Sequence, residues 1–275
     1  ALPISLISYK TDLEQFFVYL TNAYGQTEIN AITPLNIRSW LAELKEDGIS
    51  AKSINRKISA LKSFFKYLLK QGNISTTPMI TVVSPKVSKR LPIFVEEKNI
   101  ETLFKYVEFS NDWKGKTDRL ILSLLYNTGM RLSELINLTE KQVDVTYSQI
   151  KVLGKGNKER IIPVSNQLAR EIADYIAQKS GNSVAVKELL VNEKGKPLYA
   201  QYVYNVVKKY LTLITTIEKK SPHILRHTFA THLMNNDADI NSVKELLGHA
   251  SLAATQIYTH NSIEKLKEVH KKAHP

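Results

Sequence analysis

Apolar residues recur at helical spacing near the N-terminus, at Tyr9, Leu13, Phe16, Phe17 and Leu20, and predict an amphipathic helix. Thr33-Pro34 predicts a second helix start, a capping hydroxyl followed by proline at the first helical position, and Gly48 predicts its stop. Ser50 can cap a third helix that runs to about Lys70 and ends at Gly72. On that helix Ile54, Ile58, Leu61, Phe65 and Leu68 form one stripe, while Lys52, Arg56, Ser59, Ser63, Lys66 and Lys70 line the opposite side. From Asn73 to Pro92 the periodicity fails and Ser, Thr and Pro accumulate, which predicts an exposed linker. Helical pattern returns over residues 96–107 and 117–127; Gly129 breaks it before a short helix carrying Arg131 and Glu134. Residues 149–153 and 159–164 read as strands joined by Gly154-Lys155-Gly156-Asn157-Lys158, a β-hairpin with a glycine-rich tip. Helical pattern resumes near Asn166 and dominates to the end.

These elements predict a mainly α chain with a small β-sheet in two domains: a helical domain over residues 1–75, a basic linker over 76–92 and a larger domain over 93–275. A length of 275 residues gives each domain a real core. The absence of cysteine excludes disulfides, thiolate catalysis and Cys-ligated zinc. The longest apolar run, Leu120 to Tyr126, is too short to span a bilayer, so no membrane insertion is expected and the cytoplasm is the default compartment. The sequence starts at Ala1 rather than methionine, which leaves room for residues upstream.

A net charge of +12 favours polyanionic partners, nucleic acid first and anionic membrane second, although total charge alone does not separate these from a generically basic protein. The distribution is more informative. Between Asp47 and Glu96 there is no acid, while Lys52, Arg56, Lys57, Lys62, Lys66, Lys70, Lys86, Lys89 and Arg90 all fall there. A basic helix face with small serines between its charges suits a DNA backbone better than a merely solvated face does. Two lobes joined by a basic strap suggest a clamp that closes around a duplex.

Candidate chemistry lies in the larger domain. Ser221-Pro222 predicts a capped helix start, with His223 in the first turn and Arg226 three residues on, on the same face. His223 alone would suit a local structural role; paired with an arginine at a helix N-terminus it points to phosphate binding. His227 and His232 read as packing or hydrogen-bonding residues. Arg131 and Glu134 repeat the i,i+3 spacing, either as a surface ion pair or as a carboxylate orienting a guanidinium. Lys155 sits at a hairpin tip without Walker A spacing, where a solvated lysine is the default. Gly248 suits the end of a helix over Ile240–Leu247, placing His249 just beyond it and Tyr258 on a following helix capped by Ser251. His223 and His227 are spaced as zinc could use them, but an adjacent arginine opposes a dication, so neither metal nor cofactor is expected.

The segments TGMRLSEL (128–135), LGKGNKERIIPV (153–164), HILRHTFATHL (223–233) and LLGHASLAATQIYTH (246–260) together resemble the tyrosine recombinase family, and within it the bacterial Xer-type site-specific recombinases. The resemblance extends over nearly the whole chain. It implies a SAM-like helical N-terminal domain that binds core DNA and a catalytic domain with a small β-sheet, ending in a helix exchanged between subunits. It implies that Tyr258 is the nucleophile that forms a 3′-phosphotyrosyl link. Arg131 and Arg226 then clamp the non-bridging oxygens, His223 and His249 assist proton transfer on the same phosphate, and Lys155 protonates the leaving 5′-oxygen, with Glu134 supporting Arg131. Lys52, Arg56, Lys62, Lys66, Lys70, Lys89 and Arg90 become candidate DNA contacts. The implied partner is a double-stranded DNA recombination site, engaged as a homo- or hetero-tetramer on two duplexes, with a monomer as the DNA-free state. Some members are activated by a DNA translocase.

The implied role is chromosome dimer resolution in chromosome partition and cell division, in a nucleoid-associated cytoplasmic enzyme. An integrase or invertase of a mobile element would use the same chemistry, and a non-catalytic DNA-binding regulator would use only the basic helix. Two features depart from the family pattern: the usual opening residues of the first helix are absent, and His270 stands where relatives often carry an aromatic residue.

Overall fold

The computed structural model describes residues 4–25, 28–87, 93–154, 159–181 and 186–248. The chain divides into two compact units, residues 1–90 and 91–275. The first unit is built from α1 (Ile4–Tyr24), α2 (Pro34–Glu46) and α3 (Ala51–Lys70). Local chemistry sets the helix starts. Thr33 accepts from the Asn36 N–H, and the Asn36 side chain accepts in return from the Thr33 N–H at 2.8 Å, a reciprocal cap ahead of Pro34. Ser50 accepts from the Ser53 N–H to open α3. Phe16, Leu20, Ile37, Trp40, Ile54, Ile58, Leu61 and Phe65 form the core, so both apolar stripes expected from the sequence face inward.

Two features of this unit differ from the sequence expectation. Residues 76–92 begin inside the fold rather than as a free strap: Met79 and Val82 are buried in the core, and the Asn55 side chain donates to the Pro85 carbonyl at 3.0 Å. A high Ser, Thr and Pro content marks a chain outside helix and strand, not one without packing. The acid-free face of α3 also meets an acid from elsewhere. Asp12 of α1, only 1% exposed, pairs with Arg56 and with buried Lys57, whose ammonium lies 3.0 Å from the carboxylate and also bonds Gln15. Lys57 falls on the apolar side of α3, three residues after Ile54 and four before Leu61, and the Trp40 ring lies 5.5 Å from it.

The second unit contains α4 (Glu97–Lys105), α5 (Trp113–Thr128), α6 (Leu132–Ile136), an antiparallel sheet of β1 (Val143–Asp144), β2 (Gln149–Leu153) and β3 (Glu159–Pro163), and then α7 (Asn166–Gly181), α8 (Ala200–Ile214), α9 (Pro222–Asn235) and α10 (Ile240–Leu247). The hairpin falls where the strand pattern placed it, and a two-residue strand, β1, adds to it. Helix α5 is apolar all round at its centre, with Leu120, Ile121, Leu122, Leu124 and Leu125 buried, and α6, α7, α8 and α9 pack about it. Helix α10 packs on α9 and β3. Among the described residues no helix is long and apolar enough to cross a membrane.

Asp12 gives a direct test of the first unit. Asp12→Ala leaves the Lys57 ammonium buried without its carboxylate, and should lower stability by about 3 kcal/mol. Urea unfolding followed by Trp40 fluorescence checks this, and a loss below about 1 kcal/mol would show that the pair is not holding α1 to α3.

Candidate active site

Gly129 ends α5 in the left-handed conformation, with φ 58°. A Cβ there would lie 2.3 Å from the Phe229 ring, so only glycine lets the α5 turn press against α9. That close approach presents the Gly129 carbonyl to Arg226, whose Nη1 donates to it at 2.5 Å. Helix α9 opens as the sequence predicts in position, with Ser221 extended and Pro222 first in the helix, although the Ser221 side chain makes no capping bond. Arg226 lies one turn in, is 5% exposed, and donates through Nη2 to the Leu247 carbonyl at 2.6 Å.

The residue after Met130 starts α6. The Arg131 N–H donates to Glu134 Oε2 at 2.7 Å and its Nη1 to Oε1 at 2.8 Å, while Nη2 donates to the Gly248 carbonyl at 3.0 Å. The i,i+3 pair is therefore not an open surface ion pair: the Glu134 side chain is 3% exposed and that of Arg131 30%. Glu134 has a second cationic partner. Arg160 of β3 grips it with a parallel fork, Nη1 to Oε1 at 2.9 Å and Nη2 to Oε2 at 2.8 Å, and donates through Nε to the Leu246 carbonyl at 2.7 Å.

Leu246, Leu247 and Gly248, consecutive carbonyls at the end of α10, thus accept from Arg160, Arg226 and Arg131 respectively. These are the groups a helix C-terminus leaves without intrahelical donors, and they carry the negative end of its dipole. Burial works to raise the Glu134 carboxyl, but the Arg160 hydrogen bond, the Arg131 N–H, the Arg160 charge and the Arg131 side-chain hydrogen bond overcome it and pull the group down to about 2. The His223 imidazole is pushed below its ordinary range, first by burial and then by the charges of Arg226 and Arg131. Burial and the same neighbourhood, His223 and Arg226, also lower His227.

The structure therefore brings Arg131, Glu134, His223 and Arg226 together. Lys155, His249 and Tyr258 lie outside the described residues, as do Lys89 and Arg90. Lys52, Lys62, Lys66 and Lys70 are exposed on α3, and Arg56 bonds Asp12 and the Ser8 carbonyl. His232 is buried; its Nε2 lies 2.9 Å from the Val95 carbonyl and its Nδ1 3.1 Å from the Tyr126 hydroxyl, while Thr228 accepts from the Val95 N–H at 3.0 Å. Sequence reasoning missed Arg160. The signal was strand alternation: Arg160 pairs with Val152 and shares the inner face of the hairpin with Ile150 and Ile162.

Comparison with known proteins identifies the class to which this arrangement of two units, hairpin and arginine cluster belongs. The profile of the phage integrase family matches residues 94–265, and that of the phage integrase N-terminal SAM-like domain matches residues 3–72. The tyrosine recombinase XerC of Chlorobaculum parvum is 37% identical, over 99% of this chain and 89% of its own. That of Staphylococcus saprophyticus is 42% identical over 98% and 91%. Among solved structures, the XerH site-specific recombinase bound to palindromic difH substrate, a post-cleavage complex, superposes with a TM-score of 0.81 at 25% identity, covering 97% of this chain and 79% of that one. The XerA recombinase gives 0.58 at 27% identity, covering 100% and 93%. The chain belongs to the phage integrase family of tyrosine recombinases. Within it, the chain is of the Xer type, a site-specific DNA recombinase.

The histidines set a pH dependence. His223, His227 and His232 are all lowered in the folded chain, burial being the largest cause for each, so the unfolded state binds more protons just below the ordinary histidine range. Their neutral forms stabilise the fold above pH about 6.5, and that contribution is lost as pH falls below it. Glu134, also lowered, gives up its contribution only as pH falls from its ordinary range towards about 2. The urea midpoint of the second unit should therefore drop between pH 7.5 and 5.5; a midpoint that holds or rises would contradict the burial of these rings.

Proposed function

We propose that this recombinase cuts and rejoins duplex DNA with Tyr258 as nucleophile and with Arg131, Arg226, His223 and His249 holding the scissile phosphate. The observation that carries the reading is the convergence of guanidinium groups at the end of α10. Among the described residues Arg131, Arg160 and Arg226 meet there, with Glu134 paired to Arg131 and Arg160. Guanidinium donors gathered and oriented in advance favour the arrival of a phosphodiester. Arg131, partly open, can offer phosphate oxygens the N–H groups that Glu134 and Gly248 do not take, with His223 nearby.

In this reading neutral His223 takes the hydroxyl proton of Tyr258, whose oxygen attacks phosphorus; a bond forms between them, and the bond from phosphorus to the 5′-oxygen breaks. The leaving oxygen takes a proton from Lys155 at the hairpin tip. Negative charge accumulates on the equatorial oxygens in the transition state, and preorganised guanidinium donors stabilise it there. The 3′-phosphotyrosyl link conserves the phosphodiester energy, so the 5′-hydroxyl of another strand can reseal it without ATP. Burial and the charges of Arg226 and Arg131 favour the neutral form of His223, the form that can accept a proton.

The first unit would grip core DNA through Lys52, Lys62, Lys66 and Lys70 on α3, with Lys89 and Arg90 as further contacts. Arg56, held by Asp12, contributes less than its position on that face suggests. The assembly is a tetramer on two DNA sites, working in the cytoplasm on the chromosome, and its role is chromosome dimer resolution. The XerC names of the relatives and the DNA-bound, post-cleavage state of the XerH structure support this.

Target DNA would be recovered by sequencing covalent protein–DNA adducts from cells, and a nicked duplex built on the recovered site would serve as a suicide substrate. Wild-type protein should accumulate as a covalent adduct, whereas Tyr258→Phe should bind with unchanged affinity and form none. Equal adduct from the variant would remove Tyr258 from the chemistry. Replacing Lys52, Lys62 and Lys66 together by alanine should weaken binding to that duplex and flatten the plot of log K against log salt by about 0.9 for each phosphate that is no longer neutralised. An unchanged slope would return the α3 face to solvent.

A further inference from the structure

Arg160, like Arg226, is a cation of the cluster that points inward. Its side chain is 9% exposed, and its Nε, Nη1 and Nη2 donate to Leu246 and to both oxygens of Glu134. It stands on β3, next to the hairpin tip in sequence, and bonds at once to α6, which Arg131 opens, and to the end of α10, the last helical turn before His249. The Glu134 carboxylate is thus shared: each oxygen accepts once from Arg131 and once from Arg160. A carboxylate held by Arg131 alone could swing with that side chain; a second, forked partner on a strand fixes its plane. Gly248 keeps this packing close, since a Cβ there would lie 3.1 Å from Arg160 Nη1 and 3.2 Å from its Cδ.

We propose that Arg160 is a positioning residue for DNA cleavage: it fixes Glu134, and through it the Arg131 guanidinium, while tying the hairpin to the C-terminal end of α10. The inference rests on the recombinase reading above and adds a residue that acts without touching the phosphate. Lysine keeps the positive charge but cannot make the fork and the Nε bond together.

The test is single-turnover adduct formation on the nicked duplex described above, with protein in excess of its dissociation constant. Arg160→Lys should bind that duplex with affinity within about twofold of wild type and form the adduct about 10- to 100-fold more slowly, the size expected from a displaced reacting group. Glu134→Gln should show a similar defect, and the double variant should be no slower than the worse single one, because both changes cut one chain of hydrogen bonds. Should Arg160→Lys fold poorly, Arg160→Met keeps the side-chain volume and is judged by the same rate. Wild-type cleavage rates in the folded Arg160 variants, or defects that multiply in the double variant, would overturn the positioning role. Absence of any adduct with wild-type protein would instead overturn the recombinase reading on which it rests.

Discussion

The second unit depends on one carboxylate lying between two guanidinium groups. Like charges about 4 Å apart repel by about 4 kcal/mol at the effective dielectric of a protein surface, and a third arginine increases the strain. Glu134 turns the meeting of Arg131 and Arg160 into attraction, and the end of α10 supplies carbonyls to Arg131, Arg160 and Arg226. Without both, the cations would lose the groups that hold them together where α6, β3, α9 and α10 meet. Buried ion groups of this kind give little net stability. Here they fix where positive charge sits.

The first unit handles charge differently. Asp12 draws Lys57 and Arg56 towards α1, which leaves the outer lysines of α3 exposed in a row. Basic residues of the same helix therefore divide into those that hold the fold together and those available to a polyanion. Composition alone does not make that division; the position of each residue relative to the apolar stripe does.

Much of this architecture was legible because it is written in local rules. Thr33-Pro34, Ser50, the hairpin strands and Ser221-Pro222 obey spacing and capping preferences that act within a few residues, and the structure has elements at each. The pairing of Arg131 with Glu134 was legible for the same reason, being one helical turn long. What escaped was long-range. Arg160 finds Glu134 across 26 positions and Asp12 finds Lys57 across 45, and no periodicity encodes such partners. Alternation did mark Arg160 as inward-facing, and helical spacing marked Lys57 likewise, so the anomaly of a cation on an apolar face was visible although its partner was not. Met79 and Val82 were overlooked because a segment without a repeat gives no face to assign.

Val95, the second residue before α4 begins, is fastened through both of its backbone groups to side chains of α9, Thr228 and His232. The same helix carries His223 and Arg226 at its opposite end. A rigid helix carries a displacement along its axis, so the segment that enters α4 is joined through one helix to the residues that face the reaction centre.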